Sequence, residues 1–79
     1  MRGNYRISTG SAAVAARLAA TLLGDHAGRP LPGLVLDVGG GWVQLDETAM
    51  DSLRGRKVTV RSGVEVLTAD EGTFEVLPL

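Results

Sequence analysis

An alanine-rich segment over residues 11–24 constrains the fold more than any other feature of the sequence. Its larger apolar residues recur every four positions, as they do along one face of an amphipathic α-helix. Those residues are Val14, Leu18 and Leu22. Thr9-Gly10-Ser11 offers N-caps for this helix, and Gly24 or Gly28 offers a C-terminal stop. A helix with so many alanines is thin, and we therefore expect it to lie close against a sheet.

Short apolar or alternating runs, separated by turn residues, predict strands in the remainder of the chain. The run over residues 34–38 has Asp37 as its only polar member, which suits a central strand covered on both faces. The Gly39-Gly40-Gly41 link after it allows a tight hairpin, or equally the close approach of another backbone. The predicted strands cover residues 5–8, 34–38, 42–45, 57–61, 64–68 and 73–77.

A second, shorter helix is predicted over residues 47–54. Asp46 is a suitable N-cap for it, because an aspartate side chain can accept a hydrogen bond from a free amide of the first turn. Leu45 before the cap and Met50 within the helix are spaced as a hydrophobic staple. Gly55 then supplies a C-terminal stop.

Together these elements predict one α+β domain over residues 1–79. The alanine-rich helix packs on a mostly antiparallel sheet of about five to six short strands, and a short second helix is added. Because the 79 residues include no cysteine, the core must stabilise this domain without disulfides, unless the chain also dimerises. In the C-terminal meander, alternation predicts that Val58, Val60, Val64, Val66, Phe74 and Val76 face inward, and that Thr59, Arg61, Glu65, Thr73 and Glu75 face outward.

Charged side chains are sorted by sign along the chain, although the net charge is only −1. From Leu34 onward carboxylates outnumber bases, and every base there lies between Arg54 and Arg61. Acidic surfaces of this kind steer and select basic partners, whereas general affinity for nucleic acid needs an excess of Lys and Arg. The candidate partner-binding residues are Asp37, Asp46, Glu47, Asp51, Glu65, Asp70, Glu71 and Glu75.

No group of residues forms a credible catalytic, metal or cofactor site. The triple glycine lacks the helix and the Lys-Ser or Lys-Thr pair that follow a phosphate-binding loop. His26 is the sole histidine, and beside Asp25 it is best interpreted as an exposed residue near the end of the first helix. Asp46, Glu47 and Asp51 lack the spacing of an ion-binding loop, and capping explains them. We therefore predict a protein that is not an enzyme and binds no cofactor.

Two features leave alternatives open. Trp42 is either a core anchor or an exposed hot spot, and we prefer the core because a small domain needs large apolar side chains. The bases Arg54, Arg56, Lys57 and Arg61 could contact nucleic acid, although no aromatic residues alternate with them as stacking platforms.

The second half of the chain resembles the swapped-hairpin DNA-binding domains of antitoxin and transition-state regulators. The resemblance lies in Val43-Gln44-Leu45-Asp46, Leu53-Arg54-Gly55 and Val58-Thr59-Val60. It implies a dimeric regulator that contacts DNA through the basic segment. Those domains carry proline and basic residues at the entry to the short helix, where this sequence has Asp46 and Glu47, which would repel duplex DNA.

In overall character the chain is similar to the small, cysteine-free inhibitors encoded by phages and mobile elements, of which anti-CRISPR proteins are the best-known class. The similarity lies in its length, its acidic patches and its lack of a catalytic set. It implies a non-enzymatic protein that occupies a basic, nucleic-acid-binding surface of an effector complex and blocks target DNA. We expect this function, with the DNA-binding regulator as the alternative.

The sequence also suggests where the protein works. We find neither a signal peptide nor a membrane-spanning segment, and the absence of cysteine fits a reducing compartment. We therefore expect a cytoplasmic protein without membrane contact, acting in the host cytoplasm if it is phage-encoded. Monomer and homodimer both remain open.

Overall fold

A computed structural model describes residues 4–24, 33–37 and 40–79, without the side chains of residues 34–37. Within these residues the α+β class, the alanine-rich helix and the short second helix are confirmed. The elements in chain order are β1 (Asn4–Ser8), α1 (Ala12–Gly24), β2 (Leu34–Asp37), β3 (Trp42–Asp46), α2 (Glu47–Leu53), β4 (Val58–Arg61), β5 (Val64–Ala69), β6 (Gly72–Glu75) and β7 (Leu77–Pro78).

The strands form two antiparallel sheets instead of a single one. The first sheet has the order β2-β3-β1-β7, and the second has the order β4-β5-β6. The predicted pairing of β2 with β3 is confirmed, with Leu34 opposite Leu45 and Asp37 opposite Trp42. The prediction of β2 as a central strand is wrong, because it lies at the edge of the sheet. α1 packs on the first sheet at β2 and β3, and α2 contacts β3. The helices thus cover the first sheet, while the C-terminal half of the chain builds the second.

Both helices begin at the predicted caps. The Ser11 hydroxyl accepts a hydrogen bond from the Val14 amide at 3.1 Å, and the Asp46 carboxylate accepts one from the Ala49 amide at 3.0 Å. These bonds satisfy amides that have no partner inside the helix. α1 ends at Gly24, while the predicted alternative stop and the sole histidine lie outside the described residues. In the described part of the chain, no helix is long and apolar enough to cross a bilayer.

Gly41 shows why glycine is needed before β3. Its φ is +71°, and a Cβ at this position would lie 3.0 Å from the carbonyl carbon of Ser11. Its carbonyl oxygen accepts hydrogen bonds from the amide and the hydroxyl of Thr9, at 3.0 and 2.7 Å. The close approach of a second backbone, which the sequence left open, therefore occurs at this glycine.

One apolar core joins the two sheets and the two helices. Leu45 and Met50, the predicted staple, are both fully buried in it. In the part of the chain that the structure describes, no polar or charged residue is buried. The buried members of the core are Ile7, Ala15, Leu18, Leu22, Val43, Leu45, Ala49, Met50, Leu53, Val58, Leu67 and Val76.

The two faces of the second sheet differ from the prediction at β5. Val58 lies opposite Leu67, and both residues face the core. Glu65 is two residues from Leu67 and lies on this inner face, whereas Val64 and Val66 lie on the outer face. The prediction had Val64 inward and Glu65 outward, and both assignments are wrong, whereas Val66, also predicted inward, is buried. A shift of one residue in the alternation reverses every side chain of a strand.

The flanking strands follow the predicted alternation more closely. Val58, Phe74 and Val76 contact the core as expected. Val60 shares their face but lies near the β4–β5 turn, where its side chain remains 67 % exposed. Val66 is only 7 % exposed, although the register places it on the same face as Val64 and Glu75. The outward residues Thr59, Arg61, Thr73 and Glu75 are exposed as predicted.

The C-terminal segment, predicted as one strand of the meander, divides between the two sheets. β6 ends at Glu75, and β7 then pairs with β1, where Pro78 lies opposite Tyr5. Between them, the Val76 amide still donates to the Glu65 carbonyl at 2.9 Å. Proline has no amide hydrogen, so an edge strand accommodates it best. The end of the chain therefore connects the second sheet to the first.

The inverted alternation of β5 can be tested by truncating one residue from each face. Leu67→Ala should lower the free energy of unfolding by ~2–5 kcal/mol, because it opens a cavity in the core. Val64→Ala should change it by less than about 0.5 kcal/mol, because this side chain is already exposed. Urea unfolding measures both values. A larger loss for the Val64 variant would contradict the observed faces.

Candidate functional site

Arg54, directly after α2, binds three carboxylates and a tyrosine. Its Nη1 donates to Oε2 of Glu47 at 2.8 Å and to Oδ1 of Asp51 at 3.0 Å. Its Nε and Nη2 donate to the two oxygens of Glu65 at 2.9 and 3.1 Å. Nη2 also donates to the Tyr5 hydroxyl at 3.1 Å, and that hydroxyl donates to the Glu47 carboxylate at 3.0 Å. We call these five residues the arginine cluster.

Three elements bring the arginine cluster together. Glu47 and Asp51 precede Arg54 by about two turns and one turn of helix, which places them on the same side of α2. Arg54 itself leaves the helical conformation, with φ −61° and ψ 135°. Tyr5 belongs to β1 and Glu65 to β5. The cluster therefore connects the short helix to both sheets.

The hydrogen bonds of the cluster keep its central pair ionised. Those from Arg54 lower the pKa of Glu65 below its usual value of 4.5, against the opposing effect of desolvation. The hydrogen bond with Glu65 is also the largest of the contacts that raise the pKa of Arg54, followed by those with Tyr5 and Glu47. The pKa of Glu65 is lowered and that of Arg54 is raised, so both shifts favour the ionised form. Glu65 is thus held as a carboxylate at neutral pH.

The arginine cluster retains an excess of negative charge. It contains three carboxylates and one guanidinium, and therefore two more formal negative charges than positive ones. The Asp51 side chain is the most accessible of the three, with 69 % exposure against 32 % for Glu47 and 25 % for Glu65. This excess is the acidic feature that α2 and β5 present to solvent.

Three of the eight predicted partner-binding residues meet in this cluster, namely Glu47, Asp51 and Glu65. Asp46 is next to them in sequence but caps α2. Its carboxylate also lies against Gly33, where φ is +81° and an added Cβ would overlap the carboxylate. Asp46 therefore has a structural role of its own.

The remaining four predicted residues lie elsewhere. Asp70 and Glu71 form the turn between β5 and β6, and Glu75 lies on the opposite face of the second sheet from Glu65. Asp37 is the last residue of β2, and its side chain is outside the described part of the structure. The predicted acidic residues are therefore divided among separate regions of the surface.

Glu71 also has a structural contact. Its Oε2 accepts a hydrogen bond from the Thr21 hydroxyl at 2.9 Å, which ties the β5–β6 turn to α1. Its Oε1 is buried and has no hydrogen-bond partner among the described residues. Glu71 therefore supports the packing of α1 in addition to any contact with a partner.

Two bases of the segment over residues 54–61 already make hydrogen bonds within the protein. Arg54 belongs to the arginine cluster, and Nε of Arg56 donates to the Ser52 carbonyl at 2.8 Å. Lys57 is half-buried, and Arg61 is exposed on the outer face of the second sheet. Arg54 could contact DNA only after its hydrogen bonds with Glu47, Asp51 and Glu65 had broken.

Trp42 lies on the first sheet, away from the core. The inward positions of β3 are taken by Val43 and Leu45, so alternation turns Trp42 to the outer face. There the guanidinium carbon of Arg6 lies 4.4 Å from the centroid of its ring, a cation–π contact. The interpretation of this tryptophan as a core anchor is therefore wrong.

A small cleft adjoins the arginine cluster. Its volume is about 220 Å³, and it lies between the start of β5 and the start of β7. Tyr5 and Glu65 belong to both the cleft and the cluster. The other residues that line the cleft are Gly63, Val64, Val76, Leu77 and Pro78.

Two features of the cluster were not predicted from the sequence, namely the participation of Tyr5 and the central position of Arg54. The spacing of Glu47 and Asp51 before Arg54 on a predicted helix was a signal for part of it. The contacts with Tyr5 and Glu65 depend on how the sheets meet, and no local pattern indicates them. The cleft depends on the same arrangement.

The described residues contain no group of three or more His, Cys, Asp or Glu side chains placed to hold a metal ion. Comparison of the chain with models of protein families, with curated proteins and with solved structures found no match. The function is therefore proposed from the geometry of the arginine cluster and the surfaces beside it.

Removal of the central arginine tests whether the cluster stabilises the fold. Arg54→Met should lower the free energy of unfolding at neutral pH by roughly 1–3 kcal/mol, because the partly covered carboxylates of Glu47 and Glu65 lose their donor. Arg56→Met is the matched control, since Arg56 is exposed and makes one bond to a carbonyl, and it should cost less than about 0.5 kcal/mol. Urea unfolding of both variants at low salt makes the comparison. Equal losses would contradict a stabilising cluster.

The lowered pKa of Glu65 predicts how its contribution varies with pH. Because the folded-state pKa lies below the usual 4.5, the carboxylate stabilises the fold fully above that pH and loses the effect as the pH falls through the folded value. The stability difference between the native chain and Glu65→Gln should therefore be largest near neutral pH and shrink in acid. Glu75→Gln, at an exposed residue of the opposite face, serves as the control. A difference that grew on acidification would refute the assignment.

Proposed function

We propose that this chain is a non-enzymatic protein-binding module that docks through the arginine cluster onto a basic, nucleic-acid-binding surface of its partner. A module of this kind would act like the inhibitors of the anti-CRISPR type. The observation that supports it is the excess of two formal negative charges, fixed in place by hydrogen bonds, with Asp51 largely exposed. Charges held in position lose little freedom on binding, so they favour complementary recognition.

The state of the carboxylates supports binding more than catalysis. A general acid or base works best when its pKa lies near the operating pH. Hydrogen bonds from Arg54 move the pKa of Glu65 in the opposite direction and keep it ionised. A permanently ionised carboxylate can attract a cation, and it is a poor donor of protons.

The alternative function, a DNA-binding regulator, receives less support. It requires Arg54, Arg56, Lys57 and Arg61 to face phosphates, and Arg54 is bound to Glu47, Asp51 and Glu65. Those carboxylates would also repel a DNA backbone brought close to them.

We place the function in the cytoplasm, or in the host cytoplasm if the chain is phage-encoded, which its lack of cysteine suits. Partners of the proposed kind, which bind nucleic acid, act there. A single copy presents the whole arginine cluster, so the proposal requires no dimer.

A labelled Lys/Arg-rich peptide is a direct probe of the proposed surface. Asp51→Asn should weaken its binding about threefold, because one exposed charge of the cluster is removed. The affinity of the native chain should fall as salt is added, and less steeply for the variant.

Asp70→Asn makes the same charge change on the β5–β6 turn and should leave the affinity unchanged. A gel shift with duplex DNA provides the other control, and the protein alone should not shift it at low salt. Equal weakening by the two variants, or a salt-sensitive complex with DNA, would count against the proposal.

A further inference from the structure

The cleft between the start of β5 and the start of β7 suits one side chain of a partner. Its volume of about 220 Å³ is smaller than the roughly 300–1,000 Å³ of typical small-molecule sites. Two stretches of chain line it, residues 63–65 and 76–78, together with Tyr5. Most of these side chains are apolar, so the cleft favours an apolar occupant.

Two of the apolar side chains that line the cleft are exposed to solvent. Val64 is 37 % exposed and Leu77 is 49 % exposed, although large apolar residues usually lie inside a small domain. Both can lose contact with water when a partner fills the cleft between them. Apolar pockets of this kind, surrounded by polar groups, are where binding energy concentrates in protein interfaces.

An acidic and a basic residue near the cleft, Glu65 and Arg61, lie on opposite faces of the second sheet. Glu65 and Tyr5 belong to both the cleft and the arginine cluster, so the excess negative charge borders the cleft directly. Arg61 does not line the cleft, but it pairs with Val64 in the β4–β5 register and is exposed on the face of the second sheet opposite to Glu65. A basic group of the partner would therefore approach from the side of Asp51, away from Arg61.

We infer that the cleft receives an apolar side chain of the same basic partner, inserted beside the Lys or Arg residues that face the arginine cluster. This inference rests on the proposed function and adds an anchor to it. The negative charge of the cluster favours a basic partner. The cleft fixes the position of that partner on the surface. The partner's motif would then be an apolar residue next to one or more bases.

Two labelled peptides of equal charge test the inference. Both are Lys/Arg-rich, and they differ only in a central residue, which is Leu in one and Ala in the other. The Leu peptide should bind the native chain about tenfold more tightly, since filling an apolar pocket is worth roughly that factor. Leu77→Ser should abolish the preference for the Leu peptide.

Val60→Ser is the matched control, because Val60 is 67 % exposed and does not line the cleft. It should keep the preference, and urea unfolding should show both serine variants to be folded. Arg61→Gln should tighten the binding of both peptides or leave it unchanged. Weaker binding of these basic peptides after this change would contradict the approach of their Lys and Arg residues from the side of Asp51, and it would overturn the inference.

The outcomes separate the inference from the proposed function. If both peptides bind equally and Leu77→Ser changes neither, the cleft is not the anchor, while the proposed function stands. If neither peptide binds at low salt, the proposed function fails and the inference fails with it. If the preference for Leu is lost only in the Leu77 variant, the inference is supported.

Discussion

The hydrogen bonds of one guanidinium hold a short helix and two sheets in a fixed relation. Arg54 uses Nε, Nη1 and Nη2 to bind two carboxylates of α2, the Glu65 carboxylate of the second sheet and the Tyr5 hydroxyl of the first. Charge-assisted bonds of this kind are stronger than neutral ones, and a two-point contact with a carboxylate also fixes orientation. The apolar core connects the same elements in the interior, and the arginine cluster connects them at the surface.

Local patterns predicted the parts of the fold that depend on neighbouring residues. The caps at Ser11 and Asp46 are encoded within a few positions, and both are present. Leu45 and Met50, the residues of the predicted staple, are both buried in the core. The alternation of β5 was misjudged because Val64 and Val66 resemble inward residues and Glu65 an outward one. On the inner face, the Glu65 carboxylate accepts two hydrogen bonds from Arg54, and the alternation of β5 alone gives no sign of this partner.

The division of the strands into two sheets was equally hidden from local patterns. A segment such as Thr73-Phe74-Glu75-Val76-Leu77 alternates throughout, and nothing in it marks where the chain leaves one sheet for the other. The candidate site could be predicted from the sequence only in part, for the same reason. Its acidic residues could be named from the sequence, but their shared donor and the adjoining cleft exist only because β1, β5 and β7 meet. Glu47, Asp51 and Glu65, predicted to bind a partner, therefore also bind Arg54 within the fold. The negative charge that Arg54 does not neutralise is what a partner would recognise.

A double-mutant cycle on Arg54 and Glu65 tests most directly whether this cluster is the interaction on which the fold depends. The free energies of unfolding of the native chain, Arg54→Met, Glu65→Gln and the double variant would be measured at neutral pH. The account predicts a favourable coupling of about 1 kcal/mol or more, within the range found for residues in one hydrogen-bonded network. A coupling indistinguishable from zero would mean that the two side chains are close without stabilising each other, and it would contradict the account.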